Sequence, residues 1–179
     1  MSNDAALVPP ALPRPPGRSS RTRWIVGGVI AAVIVVGWLV WYLLSPGALP
    51  TSDRTESGSG VAGSPLYVEM FHASDDFDRT LHVSGVDVTG DVPEGVTVTP
   101  LLCRGSLNGV TPRTEGFCSE LVDPEGEDLG AGDSIVVELE SDSAAEVHLD
   151  RIEISFRQDI RFGSEPAGIS GADITFVER

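Results

Sequence analysis

The 179-residue chain contains no lysine, so twelve arginines carry all of its basic charge against 27 aspartates and glutamates. The imbalance is uneven. Residues 1–23 hold four arginines and one aspartate, residues 24–44 hold no charge, and residues 45–179 hold eight arginines against 26 acids. Such an acidic segment repels a polyanion, which excludes nucleic acid as a partner bound by phosphate neutralisation. Cysteine is scarce at two and histidine at three. Two cysteines are too few for a disulfide-dense miniature scaffold. The chain has no Gly-x-Ser-x-Gly, no His-Glu-x-x-His and no glycine-rich phosphate loop ahead of a helix, so no familiar nucleophile, zinc or nucleotide chemistry is signalled. Beyond residue 63 no segment carries an apolar stripe of period 3.6, which argues against a helical bundle.

What is present begins with the uncharged run Trp24–Leu44. At 1.5 Å per residue its 21 residues make a helix of roughly 31 Å, the thickness of a bilayer's hydrocarbon core. Its valines and isoleucines favour strand in water, but a segment crossing lipid must satisfy its backbone internally, and helix results. Trp24 stands at one end and Trp41 and Tyr42 at the other, with Trp38 one turn inside, as suits aromatic anchors at the two interfaces. Arg14, Arg18, Arg21 and Arg23 precede the run, whereas the first charge after it is Asp53. The positive-inside rule therefore places the amino terminus in the cytoplasm and the rest outside. A cleaved signal peptide is the competing reading, opposed by the length of the run and the lack of a clear Ala-x-Ala site. Gly27-x-x-x-Ala31 and Gly28-x-x-x-Ala32 permit close helix contact and hence self-association.

On either side of the helix, composition suggests unstructured segments. Residues 1–23 read as a disordered Pro/Arg-rich tail with Pro10-x-x-Pro13 and Pro13-x-x-Pro16, either a docking peptide or simply the carrier of the topogenic arginines. Residues 45–63, rich in Gly, Ser, Thr and Pro, read as a flexible linker spanning about 24 Å.

From Ser64 the pattern changes to short apolar alternations separated by turn residues. Strands are expected at 66–71, 81–83, 86–88, 96–98, 135–139, 147–149, 152–156 and 174–176. The inward parity slips near Gly85 and again near Asp150-Arg151, which predicts a β-bulge at each place. Residues 64–179 with seven or eight short strands fit an all-β, immunoglobulin-like sandwich. Leu129-Gly-Ala-Gly-Asp-Ser-Ile-Val-Val-Glu-Leu139 resembles the turn-and-strand of many bacterial extracellular immunoglobulin-like modules, with Ala131 where those modules often have proline. The tail-helix-linker plan and the arginine-only basic charge are similar to single-pass actinobacterial envelope proteins. The small accessory partners of mycobacterial lipid transporters share that plan. This resemblance implies an extracytoplasmic location and names no activity.

Cys103 and Cys118 both fall in the exported part, where a disulfide between them is expected, closing a loop rich in turn formers. On that constrained loop Arg104, Leu107, Asn108, Arg113 and Phe117 are the candidates for partner contact. His72, His82 and His148 lie in or beside strands and read as surface histidines. Acidic loops suit Ca²⁺, and Asp123, Glu125, Glu127, Asp128 and Asp133 are the first candidates, with Asp75, Asp76 and Asp78 a second cluster. No cofactor is expected. The leading expectation is a noncatalytic, membrane-anchored interaction module whose partner is an envelope protein or wall component. An envelope hydrolase, a carbohydrate-active module or a Ca²⁺-binding β-domain are the alternatives.

Overall fold

The computed structural model describes residues 20–179, with side chains from Trp24 onward. Residues 1–19 of the expected disordered tail, with Arg14 and Arg18, lie outside the described residues, as do the side chains of Arg21 and Arg23, and residues 20–23 are helical rather than disordered. Two compact units divide the chain, residues 1–39 and 40–179.

Helix α1 spans Ser20–Leu43. It starts four residues before the apolar run, because arginine is a good helix former and extending a helix costs far less than nucleating one. Its stretch Trp24–Leu43, of mean hydropathy 2.3, is long and apolar enough to cross a bilayer. The helix is apolar on every side and its large side chains are exposed, Trp24 to 80% and Trp38 to 60%.

The second unit is built from eleven strands in two sheets. They are β1 (Thr55–Val61), β2 (Leu66–His72), β3 (Leu81–Asp87), β4 (Gly90–Asp91), β5 (Val96–Gly105), β6 (Val110–Thr111), β7 (Cys118–Val122), β8 (Asp128–Leu129), β9 (Ser134–Ser141), β10 (Ala145–Gln158) and β11 (Arg161–Val177). One sheet runs β1-β11-β10-β3-β8, with β4 also on β10, and the other runs β6-β2-β9-β5-β7. Every named pairing is antiparallel except β1 on β11, which is parallel. Leu66, Val68, Phe71, Val137 and Leu139 from one sheet share a core with Leu81, Ile154, Phe156, Ile174 and Phe176 from the other.

Both expected bulges are present. Opposite β10, Val83 pairs with Phe156 and Gly85 with Ser155, leaving Ser84 as the extra residue. Across the second, Asp150 pairs with Gly171 but Ile152 with Ala167. Buried positions on β10 accordingly move from Val147 and Leu149 to Ile152, Ile154 and Phe156.

The linker expectation needs correction, because residues 46–61 are docked on the domain. The Pro46 ring lies against Gly163, where an added Cβ would meet Pro46 Cγ at 2.5 Å. Arg79 donates to the Gly47 carbonyl (3.1 Å) and to that of Ala48, and Leu49 is buried in the core. Gly168 N–H donates to the Pro50 carbonyl and its own carbonyl accepts from Ser52 N–H. β1 then runs alongside Gly171–Val177. Its small residues are selected by neighbours: an added Cβ at Gly58 would strike Val110, and one at Gly60 the Phe176 ring. Composition read as flexibility is here clearance under packed side chains. The folded domain begins near Leu49 rather than at Ser64.

Substituting Leu49 separates a docked segment from a loose one. Leu49→Ala should lower stability by about 2–4 kcal/mol, the usual loss for emptying a buried leucine site. Urea unfolding of the full chain checks this; a change near zero would return the segment to a free tether.

Candidate functional site

The segment between β5 and β7 forms a strap. It leaves β5, crosses to the opposite edge of its sheet where β6 pairs with β2, and returns to β7. Cys103 and Cys118 are bonded to each other at its base, with Cα atoms 5.3 Å apart. Leu107 packs under the strap with Cys103 and Val136, flanked by Tyr67, Leu101, Cys118 and Leu121. These residues form a small second core on the outer face of the sheet.

Glu69 fixes the strap in place. It lies on the outward parity of β2, yet it is 7% exposed because the strap covers it. Its Oε1 accepts from Ser106 Oγ at 2.7 Å and from Leu107 N–H at 3.1 Å, while its own N–H donates to the Gly109 carbonyl. Nearby, Tyr67 donates to Glu138 Oε1 at 2.6 Å. Burial first, then that carboxylate, pushes the Tyr67 hydroxyl up to about 12, so it stays a donor at any physiological pH. The sequence carried no signal for the role of Glu69, since nothing local shows that a distant segment will cover it.

The five contact candidates divide. Leu107 is buried, which removes it from any contact surface. Arg104 faces inward, donating to Glu127 Oε2 (2.9 Å), to Asp133 Oδ2 (2.8 Å) and to the Asp128 carbonyl. Asn108, Arg113 and Phe117 remain exposed, Phe117 to 49%. Pro112 and Glu115 are exposed beside them.

Arg104 also bears on the Ca²⁺ candidates, several of whose carboxylates are engaged within the protein. Glu127 and Asp133 share the single Arg104 guanidinium, and Asp133 Oδ2 further accepts Gly130 N–H at 2.9 Å. Asp128 Oδ1 faces His82 Nδ1 at 3.1 Å, while Asp123 accepts the N–H of Glu125. The oxygens are spread over turns rather than converging. Among the described residues no three acidic, histidine or cysteine side chains group as metal ligands. In the second cluster Asp76 accepts from Ser74 Oγ, which holds its carboxyl below the usual range.

The histidines lie on exposed surfaces. His148 Nδ1 is 2.7 Å from Asp173 Oδ1, and its Nε2 is 3.7 Å from Asp150. The hydrogen bond its ring N–H donates to Asp173 raises its pKa, with the charges of Asp150 and Asp91 adding to the effect. His82 and His148 are therefore paired with carboxylates rather than with a hydroxyl nucleophile.

No protein-family model matches the chain, and neither a curated protein nor a solved structure matches it.

Two outcomes follow from this geometry. Replacing both cysteines by serine should cost about 3 kcal/mol, the chain-entropy value for a loop of this length, and should open the strap to limited proteolysis near Arg113. An unchanged digestion pattern would mean that Glu69 and Leu107 hold the strap alone. Separately, the His148 ring should titrate above 6.5 by NMR, and Asp173→Asn should bring it down toward that value. A raised folded pKa makes the contribution to stability full below 6.5 and lost as pH rises through the folded value. The gap in stability between the native chain and Asp173→Asn should narrow accordingly.

Proposed function

We propose that the protein is a noncatalytic interaction module, tethered to a membrane by α1 with its β-domain outside the cell. The length and apolarity of α1, its end aromatics and the arginine bias of its amino-terminal flank support the anchor and its orientation. Strand order supports an immunoglobulin-like reading of the domain. β9 lies between β2 and β5, and β10 lies between β11 and β3. With β1 parallel to β11, this order is compatible with the B-E-D and C-F-G arrangement of such sandwiches and supports that reading. Fold of this kind leaves function to the surface it presents. The actinobacterial envelope setting rests on the architectural resemblance alone.

The observation that carries the reading is the strap's outer rim. Arg113 and Phe117 are exposed on a segment braced by the disulfide, by Leu107 and by Glu69. An aromatic and an arginine on a pre-ordered loop are the residue types that most often dominate an interface, and bracing lowers the entropy lost on binding. The fitting partner is an envelope protein or wall component. Self-association through the glycine-alanine faces of α1 is compatible with this role.

The test compares crosslinked pull-downs of the full-length chain and of an Arg113→Ala, Phe117→Ala variant from native membranes. Loss of a hot spot worth about 2 kcal/mol weakens binding roughly 30-fold, so a specific crosslink should nearly vanish in the variant. A partner retained at full yield would place the contact surface elsewhere.

A further inference from the structure

Among residues 45–179, the β10–β11 hairpin carries the two most exposed large apolar side chains, Ile160 and Phe162. Gln158 pairs with Arg161, so Asp159 and Ile160 form a two-residue turn, with Asp159 at a φ of 55°. Ile160 is 60% exposed and Phe162 54%, though nothing in the fold requires apolar residues at a solvated turn. Arg157 pairs directly with Phe162 across the hairpin. Two arginines thus flank the apolar pair, against the single acid Asp159.

The chain itself fixes where this tip lies. Leu44 ends the apolar run, and Pro46 follows two residues later, so their Cα atoms are at most about 7 Å apart. The Pro46 ring rests on Gly163, one residue from Phe162. The Arg161 guanidinium lies 5.5 Å from the centre of the Tyr42 ring. Whatever direction the span takes, these contacts hold the hairpin tip beside the end of the apolar run. Asp76 and Asp78 line a groove with Arg79 and Gln158, so acidic groups as well as arginines lie near the tip.

We propose that the 157–162 hairpin tip is a second membrane-contact site. Ile160 and Phe162 enter the boundary between headgroups and acyl chains, and Arg157 and Arg161 pair with phosphates of anionic lipid. The proposal rests on α1 being a membrane anchor, and it adds that the domain is seated on the bilayer at a fixed tilt rather than swinging above it.

The test uses the full-length chain in vesicles of phosphatidylcholine and phosphatidylglycerol, without reductant so that Cys103–Cys118 stays closed. A fluorophore is placed in turn at Ile160→Cys, at Val33→Cys inside the helix, and at Ala144→Cys, near the far end of β10. A lipid-borne quencher acts over the 5–10 Å of the interface, so quenching at 160 should exceed that at 144 at least about threefold. Adding Arg157→Glu and Arg161→Glu should bring the signal at 160 down toward that at 144. Quenching at 33 with 160 no different from 144 overturns the second contact and leaves the anchor standing. No quenching at 33 overturns the anchor and the seat with it.

Discussion

The domain depends on a junction at Gly168, where three backbone segments meet too closely for any side chain. Its φ of 75° lies in the left-handed region, and an added Cβ would fall 1.8 Å from the Met70 carbonyl on the facing sheet. At this point β11 bulges, the incoming chain at Pro50 and Ser52 hydrogen-bonds to both backbone groups of Gly168, and β2 carries its own bulge between Glu69 and Phe71. Arg151, the residue left over by the bulge on β10, donates to the Gly168 carbonyl at 2.8 Å and to that of Ser52 at 3.0 Å. One side chain therefore stitches β10, β11 and the incoming segment. Without the junction the parity of β10 could not change, and either its first or its second half would turn its apolar residues to solvent.

Arginine is used sparingly and for definite purposes. Arg79 holds the chain that enters the domain, Arg151 closes the bulge, and Arg104 bridges the turn acids Glu127 and Asp133. A planar guanidinium with several donors suits all three positions, because each serves two or more oxygens at once. In a domain with so large an acidic excess, these arginines are placed where repulsion or an unsatisfied carbonyl would otherwise loosen the fold. The same economy makes those left at the surface, such as Arg113 and Arg157, conspicuous against their surroundings.

Much of the framework was legible in the sequence because its signals are local. Alternation marked β2, β9 and the two halves of β10, and the parity slips at Gly85 and Arg151 located bulges that pair geometry reproduces. What escaped were elements whose logic is nonlocal. β1, with Gly58 and Gly60, and the first half of β11, with its Gly-Ser-Glu-Pro, have turn-forming composition and become strands only because partners far along the chain need small residues there. The strap posed the same difficulty. Its disulfide was readable from two exported cysteines, but the inward turn of Leu107 and Arg104 follows from Val136, Glu127 and Asp133, which lie well outside the loop.

The parallel pairing of β1 with β11 also bears on how the protein carries load. Within the incoming segment seven successive residues, Thr55–Val61, are paired with Gly171–Val177. A pull applied through the residues that precede the domain acts along this strand. It shears the ladder as a unit instead of peeling it one bond at a time. Ahead of the ladder, Arg79, buried Leu49 and the Gly168 junction must give way first. The attachment is therefore a graded mechanical fastening, in which the docked segment yields before the sandwich behind it unfolds.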